Sequence, residues 1–267
     1  MEKNEMTLDE IKTVSVHLLK QFDLFCRENH LIYYISNGTL LGAVKYKGFI
    51  PWDDDVDVLM PRADYDRLLD IFSDSGEIKL FSNEKYGAAY RFPFAKLCDM
   101  RTVKIEPCEA TAETAELGIC IDIFPLDDIS NNKIAGVCKI KWRSICLALF
   151  SLSQMKTFKS KNFIKIAIYK LSRKIGFENF SKQINKKFKH TFRKCKYIGN
   201  DRWPIYGEKE LFPVSMFSDT VFLNFEGARY PAPALYDQYL TALYGDYRKD
   251  PPIEKQVTHH AYKAYWK

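Results

Sequence analysis

Apolar residues recur along the first part of the chain with two different periods. After a Thr-x-x-Glu capping box they recur three and four positions apart, which predicts a helix over residues 7–29. A compact apolar run then predicts a buried strand over residues 31–36. Residues 37–44 combine a glycine with a short helical pattern, so we expect a turn and a short helix directly after this strand.

The residues that follow alternate acidic and apolar side chains. This alternation predicts a half-buried strand over residues 54–60, and residues 62–72 return to helical spacing. More short strands are predicted at residues 78–82, 92–99, 102–106 and 119–124. The first half of the chain is therefore rich in strands with flanking helices, which indicates an α+β fold.

The pattern changes again near residue 131. Helix-like pieces over residues 133–152, 162–175 and 178–196 place lysines between isoleucine, leucine, phenylalanine and tryptophan. Beyond them the chain is acidic, aromatic and rich in turns, with one helix predicted over residues 233–244 and a polar tail. We therefore expect three parts, which are a core in 1–130, a basic helical insert in 131–198 and a C-terminal part in 199–267 that completes the core.

The formal net charge of +6 is unevenly distributed. Residues 131–198 contain 18 lysines and arginines and one acid, Glu178, so the remainder of the chain is net acidic. Amphipathic helices with a cationic rim bind anionic membrane surfaces, and each basic residue adds about 1 kcal/mol. Nucleic acid would attract the same charges, but no recognition motif accompanies them. The segment predicts membrane docking and no nucleic-acid binding; a solvated helical face that covers the core is the alternative.

Composition limits the class of protein. With 267 residues, 46% of them hydrophobic, the chain can bury a large core. Its first residues lack the basic and apolar regions of a secretory signal, and no apolar run approaches the ~18 residues that cross a bilayer. Seven cysteines without a Cys-x-x-Cys pair favour neither a disulfide framework nor a zinc site. We expect a cytoplasmic protein that is soluble or peripherally bound to the membrane.

Four aspartates lie within five positions, just before an apolar run. Like charges at this spacing repel, and carboxylates removed from water need a cation. Alternate residues of a strand share one face about 7 Å apart, so Asp55 and Asp57 are expected side by side. Asp122, between two isoleucines, is a similar acid on a later predicted strand. If the two strands are neighbours, these carboxylates form a site for a hard cation such as Mg²⁺.

The alternative is that these acids are solvated. Acids at strand ends are often exposed, and Asp53 and Asp54 are typical turn residues. The metal site is favoured by the order in which a Gly38-Thr39 turn, an alternating acidic strand and a later strand acid follow each other.

Several segments resemble the LicD family, a branch of the nucleotidyltransferase superfold. The segment NGTLLGAVKYKGFIPWDDDVDV, at residues 37–58, is close to the family signature. Further matches are FAKLCDMRTV around Lys96, GICIDIFPLDD around Asp122 and YPAPALYDQYLTALYGDYRKDPP at residues 230–252. The matches follow family order and leave out the basic region. The resemblance implies a nucleotidyltransferase-like core with a mixed sheet.

The resemblance also implies roles for residues. In that superfold a glycine-containing turn holds nucleotide phosphates, while an Asp-x-Asp pair and a later aspartate hold metal ions. The turn here is Gly38-Thr39, preceded by Asn37, and its threonine replaces the more common glycine or serine. The acids implied to hold Mg²⁺ or Mn²⁺ and to form the catalytic group are Asp55, Asp57 and Asp122.

The resemblance implies a reaction as well. Characterised members transfer phosphocholine from CDP-choline to sugars of cell-surface glycans, and fukutin-type relatives transfer ribitol phosphate. We therefore expect transfer to a lipid-linked glycan or teichoic acid precursor at the inner membrane face, with release of CMP. Transfer of ribitol phosphate or a nucleotide, and a non-catalytic scaffold that binds nucleotide or lipid, are the alternatives. A scaffold would not require all three aspartates.

Other residues are candidates for substrate contact. Lys96 would offer a positive charge to a phosphate oxygen, with Arg91 as the second candidate. Choline is a quaternary ammonium that aromatic faces bind, and Trp52 beside the acidic strand is the first candidate for that contact. The other aromatic candidates are Tyr34, Tyr90, Trp203 and Tyr206. Surface exposure of the lysine and ordinary packing of the aromatic residues are the competing interpretations.

Overall fold

Helices and strands are mixed along the chain, and the computed structural model describes residues 5–87, 90, 92–105, 116–155, 158, 160, 162–176, 194–258 and 262–267. The helices are α1 (Leu8–Glu28), α2 (Asn37–Lys45), α3 (Arg62–Ile71), α4 (Asn83–Tyr86), α5 (Lys133–Gln154), α6 (Phe163–Ile175) and α7 (Tyr236–Tyr244). The strands are β1 (Tyr34–Ile35), β2 (Asp57–Pro61), β3 (Ile78–Phe81), β4 (Ala95–Asp99), β5 (Thr102–Ile105), β6 (Ile119–Ser130), β7 (Tyr197–Gly199), β8 (Phe212–Pro213), β9 (Thr220–Phe225), β10 (Ala228–Pro233) and β11 (Lys263–Trp266). Short 3-10 helices occupy Gly207–Glu210, Val214–Phe217 and Ile253–Lys255.

A mixed sheet in the order β1-β2-β6-β4-β3 lies at the centre of the molecule. Strand β2 runs parallel to β6, whereas the other pairs along this path are antiparallel. The second half of β6 pairs with β7, which pairs with β8, so the C-terminal part of the chain joins the same sheet. The predicted α+β fold with a mixed sheet is confirmed. The nucleotidyltransferase-like core and the boundaries at residues 130 and 198 stay predictions.

Helix α1 begins where the sequence predicts because its first turn is capped. Thr7 Oγ1 accepts the N–H of Glu10, and the Glu10 carboxylate accepts the N–H of Thr7 at 2.8 Å. The apolar face of the helix, including Leu18, Leu19 and Phe22, is buried and packs against β4 and β6. The helix predicted over residues 7–29 is therefore confirmed.

Strand β2 differs from the half-buried strand predicted over residues 54–60. It begins at Asp57, because residues 53–56 form a loop after a turn in which the Asp53 N–H donates to the Ile50 carbonyl. All residues of β2 are buried, since β1 and β6 flank the strand while α2 and α3 pack on it. The prediction that the strand is only half-buried was wrong, because the face that carries Asp57 is buried as well.

Other elements differ in length from their predictions. Strand β1 has two residues where 31–36 was expected. Strand β6 extends to Ser130 rather than ending at residue 124, because its second half finds a separate partner in β7. The helix predicted over residues 178–196 lies outside the described residues except for 194–196.

The C-terminal part contains strands that the sequence pattern did not predict. Strands β9 and β10 form a hairpin around Glu226 and Gly227, which have positive φ angles of 48° and 76°. Strand β11, in the predicted polar tail, pairs with β5. The signal for the hairpin was the Glu-Gly pair between two alternating segments.

Helices α5 and α6 carry the described part of the basic region and pack against each other. Ile140 and Phe150 of α5 are buried, and the Arg143 guanidinium contacts the buried Asp201 carboxylate at 3.1 Å. The helices predicted over residues 133–152 and 162–175 are confirmed. Within the described part of the chain, no helix combines the length and apolar character that crossing a membrane requires.

Candidate active site

Three charged residues lie side by side in the middle of the sheet. Asp57 on β2 is directly opposite Asp122 on β6, and Asp122 is directly opposite Lys96 on β4. Residues that oppose each other on adjacent strands point to the same face of a sheet. The predicted proximity of Asp57 and Asp122 is confirmed, and the parallel register of β2 and β6 creates it.

Asp55 reaches the site from a loop and not from the strand face on which the sequence pattern places it. It lies two residues before β2 begins, and it lines one cavity together with Asp53 and Asp57. The Asp53 carboxylate approaches α2 closely because position 38 is glycine: a Cβ atom there would lie 2.6 Å from Asp53 Oδ2. Any side chain at position 38 would therefore displace the Asp53 carboxylate.

The cavity has a volume of about 750 Å³. Gly38 and Trp52, both predicted to contact substrate, lie on its walls, and so do three lysines and several tyrosines. Its aspartates are Asp53, Asp55, Asp57, Asp246 and Asp250. Four other predicted site residues do not line this cavity, namely Asn37, Thr39, Lys96 and Asp122.

The first turn of α2 holds Asp57 in place. Thr39 Oγ1 accepts the backbone N–H of Asp57 at 2.8 Å, and the Asn37 side chain donates to the Asp57 carboxylate. Asn37 has a φ of 45°, a left-handed conformation that asparagine tolerates. The Tyr239 hydroxyl donates to Asn37 Oδ1 at 2.9 Å, which turns the amide NH₂ group toward Asp57. In this structure Asn37 and Thr39 position Asp57, and their contact with nucleotide stays a prediction.

We expect Tyr239→Phe to lower the free energy of unfolding by about 1–2 kcal/mol, because Asn37 Oδ1 loses its buried donor. Urea denaturation measures this loss. The control is Tyr230→Phe: both tyrosines are 1% exposed, but the Tyr230 hydroxyl has no hydrogen-bond partner among the described residues. Removing that hydroxyl should leave stability unchanged or raise it. Equal losses in the two variants would contradict the role of Tyr239.

Crowding raises the pKa of two acids in the cavity. Burial, followed by the negative charges of Asp55 and Asp122, raises the pKa of Asp57 well above its ordinary value, and the Asn37 hydrogen bond opposes this effect. Burial and the adjacent Asp55 raise the pKa of Asp53 to about 8. A cation among these carboxylates would lower both pKa values, because an opposite charge favours the ionised form.

Lys96 forms an ion pair with Asp122. Its Nζ lies 2.5 and 2.7 Å from the two Asp122 carboxylate oxygens, and 4.5 Å from the ring centroid of Phe92. Burial disfavours the ammonium, but the Asp122 charge outweighs this and raises the pKa of Lys96 above its ordinary value. Contact between Lys96 and a substrate phosphate stays a prediction. Arg91, the second candidate, lies outside the described residues.

Of the aromatic candidates, Trp52 and Tyr206 line the cavity. Tyr34 and Tyr90 are buried in the core, where the Tyr90 hydroxyl donates to the Phe94 carbonyl at 2.8 Å. Trp203 packs edge to face against the Phe94 ring, with centroids 5.3 Å apart. These three residues therefore take the packing role that the sequence left open.

Sequence reasoning missed the cavity residues that follow α7. The chain reverses at Gly245, whose φ is 73°, and Tyr244, Asp246 and Asp250 line the cavity. Asp250 joins this segment to α2, because its carboxylate accepts from Lys45 Nζ at 2.5 Å. The available signal was the Tyr-Gly-Asp sequence at the predicted end of a helix, within a segment that already resembled the family.

The cavity offers the oxygen ligands that a hard divalent cation prefers. Asp55 and Asp57 supply carboxylates, and burial, followed by the charges of Asp55 and Asp122, raises the pKa of Asp57. Across the residues that the structure describes, no group of three or more His, Cys, Asp or Glu side chains is arranged to hold a metal ion. Asp122 is instead directed to Lys96. The residues thus fit an ion held by one or two carboxylates and completed by substrate or water oxygens, as Mg²⁺ commonly binds.

Comparisons with known proteins connect this site to a family. The family model described as LicD/FKTN/FKRP, nucleotidyltransferase domain, matches residues 30–146. The chain is 32% identical over 266 residues to the lipopolysaccharide cholinephosphotransferase LicD of Haemophilus influenzae, and the match covers 98% of each protein. It is also 42% identical over 52 residues to an uncharacterized protein of Rickettsia typhi, covering 19% of this chain and 17% of that protein. An uncharacterized protein of Rickettsia prowazekii is 44% identical over 48 residues, 18% of each chain.

Proposed function

Because this chain belongs to the LicD family, we propose that it is a transferase that moves phosphocholine from CDP-choline to a sugar hydroxyl of lipopolysaccharide or a related cell-surface glycan. CMP is the second product. The related glycans that we propose as acceptors are lipid-linked glycans and teichoic acid precursors.

One observation carries the proposal: the sheet register places Asp57 opposite Asp122, beside a cavity that Asp53 and Asp55 line. Crowded carboxylates destabilise a fold when nothing offsets their repulsion. A diphosphate donor is itself anionic, so these acids accommodate it only through a bound cation. A metal-dependent phosphoryl-type transfer explains both the crowding of the carboxylates and how an anionic donor binds beside them.

Asp55 and Asp57 would hold Mg²⁺ or Mn²⁺, together with oxygens of the donor phosphates. Asp122, the third ligand that the resemblance implies, lies opposite Asp57 but is paired with Lys96 in this structure. When bound, the ion would neutralise charge that develops on the entering and leaving oxygens. The protein residues around it orient the donor and exclude water. This positioning supplies most of the acceleration, because phosphoryl-type transfer needs little covalent help from the protein.

In the proposed reaction an acceptor hydroxyl attacks the phosphorus that carries choline. A new P–O bond forms, the bond to CMP breaks, and CMP leaves with the electron pair. The hydroxyl proton passes to Asp122, whose carboxylate is held by Lys96 in the structure. Lys96 and Arg91 are the proposed cation contacts of the donor phosphates. The turn at Gly38 adjoins the nucleotide, and Trp52 adjoins choline.

The test is incubation of purified protein with CDP-choline, Mg²⁺ and lipopolysaccharide. We expect release of CMP and a glycan whose mass rises by one phosphocholine, and we expect EDTA to stop both. CDP-ribitol and nucleoside triphosphates are the competing donors. Release of CMP from CDP-ribitol, without release from CDP-choline, would overturn the assignment of choline.

We also propose that α5 and α6 bind the protein to the inner face of the membrane that carries the acceptor. Helix α6 exposes an apolar stripe with residues three and four positions apart, namely Ile164, Ile168, Leu171 and Ile175, with Phe163 at its start. Ile134, Trp142 and Ile145 of α5 are exposed as well. Exposed apolar stripes bordered by lysines and arginines are typical of helices that lie on anionic lipid.

We expect the double variant Phe163→Asp/Leu171→Asp to bind phosphatidylglycerol vesicles at least about ten-fold more weakly than the wild type, since it removes apolar insertion and adds negative charge. Vesicle sedimentation measures the binding. Ile253→Asp is the control, because Ile253 is as exposed as Phe163 (81% and 79%) but lies outside the basic region. Unchanged binding of the double variant, or tighter binding to duplex DNA than to vesicles, would contradict the proposal.

A further inference from the structure

Tyr206 and Tyr244 form an aromatic corner on the wall of the cavity. Their rings meet edge to face, with centroids 5.3 Å apart and an angle of 81° between the planes. Their phenol oxygens lie 3.0 Å apart, and this hydrogen bond fixes the angle between the rings. Both residues line the cavity that contains Asp55 and Asp57.

Such a corner suits a quaternary ammonium group. This group cannot donate a hydrogen bond, so ring faces bind it better than polar acceptors do. The charges of the cavity also favour a cation, because five aspartates and three lysines line it. Two of the lysines are paired with aspartates, Lys45 with Asp250 at 2.5 Å and Lys249 with Asp246 at 2.8 Å.

The corner lies within electrostatic reach of the carboxylates at the end of the cavity. Burial raises the pKa of Tyr206 to about 12, and the charges of Asp57 and Asp55 add to this effect. Burial raises the pKa of Tyr244 as well, and Asp57 is among the charges that contribute. Only an ethylene group separates the ammonium of choline from its phosphate ester. The ammonium site must therefore lie in the same cavity as the phosphate site, and the corner shares its cavity with Asp55 and Asp57.

Other tyrosines of the cavity have different neighbours. The hydroxyl groups of Tyr46 and Tyr247 donate to Asp250 and Asp237, both at 2.6 Å. Burial is the largest cause of the raised pKa of each of these two tyrosines. The next cause is the hydrogen-bonded acid, which is Asp250 for Tyr46 and Asp237 for Tyr247. The hydroxyl groups of both residues are therefore engaged by acids other than Asp55 and Asp57.

We propose that the corner of Tyr206 and Tyr244 binds the trimethylammonium group of the donor while its phosphate lies beside Asp55 and Asp57. This inference rests on the proposed phosphocholine transfer and identifies the part of the cavity that selects choline. The two tyrosines are specificity residues, since they contact the group that does not react.

Binding titrations with CDP-choline, CDP-ethanolamine and CMP in the presence of Mg²⁺ test the inference. The wild type should bind CDP-choline more tightly than CDP-ethanolamine. Tyr206→Leu should weaken CDP-choline binding about ten-fold, because the ring face is lost, and leave the binding of CMP unchanged, because CMP has no ammonium group. Tyr206→Phe loses the same hydroxyl but keeps the ring, so it should retain the preference for choline. Tyr206→Gln is a second non-aromatic variant, and CMP binding reports that each variant is folded.

This experiment distinguishes failure of the inference from failure of the proposed function. If the wild type prefers CDP-choline and Tyr206→Leu and Tyr206→Gln keep that preference, the corner is not the choline site and the proposed function stands. If CMP and CDP-choline binding weaken equally in these variants, Tyr206 supports the cavity and does not select choline. If the wild type has no preference for CDP-choline, the proposed function fails and the inference fails with it.

Discussion

Asp57→Asn is expected to lower phosphocholine transfer by about 10³-fold or more, because it removes one of the two carboxylates proposed to hold the cation that stabilises the transition state. Asparagine keeps the size of the side chain and an oxygen that can accept the Asn37 hydrogen bond, and the backbone contact with Thr39 is unaffected. The fold should therefore persist. Turnover is measured as CMP release, and near-wild-type release from Asp57→Asn would remove the metal assignment.

The same variant should be as stable as the wild type at neutral pH, or more stable. Asp57 and Asp53 have raised pKa values in the folded protein, to about 8 for Asp53. Between its ordinary pKa of 3.8 and the raised value, each carboxyl binds more protons in the folded state than in the unfolded state. Metal-free wild-type protein should therefore lose stability as pH rises from about 4 to about 8.

Replacing Asp57 should make this loss of stability smaller. Glu210, whose pKa burial raises to about 8, contributes with the same sign, but it is present in both proteins. Urea denaturation of the metal-free wild type and Asp57→Asn across this pH range measures the difference. A steeper loss in the variant would show that Asp57 is not a source of repulsion.

Lys96→Met is expected to have the largest effect on stability, lowering the free energy of unfolding by about 3–5 kcal/mol. The substitution leaves the Asp122 carboxylate, whose side chain is 17% exposed, without its cation and opposite Asp57 in the sheet. An acid that is removed from water and left without its partner is costly. Urea denaturation at neutral pH measures the loss.

Two further variants identify the cause of that loss. Lys96→Met/Asp122→Asn should recover most of the stability, because it removes the uncompensated charge. Lys263→Met is the control: its partner Glu5 lies 2.7 Å away, but this pair is exposed and should contribute only about 0–1 kcal/mol. If the losses from Lys96→Met and Asp122→Asn simply add in the double variant, the two residues are not coupled.

The elements around the site could be predicted because their signals are local. The capping box of α1, the glycine in the first turn of α2, and an acid within the apolar run of β6 are each set by residues a few positions apart. The family resemblance added the order of the motifs. Neither source indicated how closely the acids approach each other, because that distance depends on strand pairing.

The candidate site could be predicted only in part, for reasons that particular residues illustrate. Asp55 was expected on a strand face, but it lies in the loop that follows the turn at Ile50 and Asp53, and β2 begins only at Asp57. Lys96 was expected to face a phosphate, and pairing of β4 with β6 directs it to Asp122. The position of Asp55 depends on how its loop packs, and the partner of Lys96 is remote in the sequence.

The sequence by itself determined which residues carry charge, where the long helices α1, α5 and α6 lie, and that a basic amphipathic region follows an acidic one. Only the tertiary structure decided that β2 and β6 lie parallel with Asp57 opposite Asp122. It also brought Tyr239 to Asn37, 202 residues earlier in the chain. Periodicity records which face of an element is apolar, whereas register and long-range hydrogen bonds depend on the packing of the whole core.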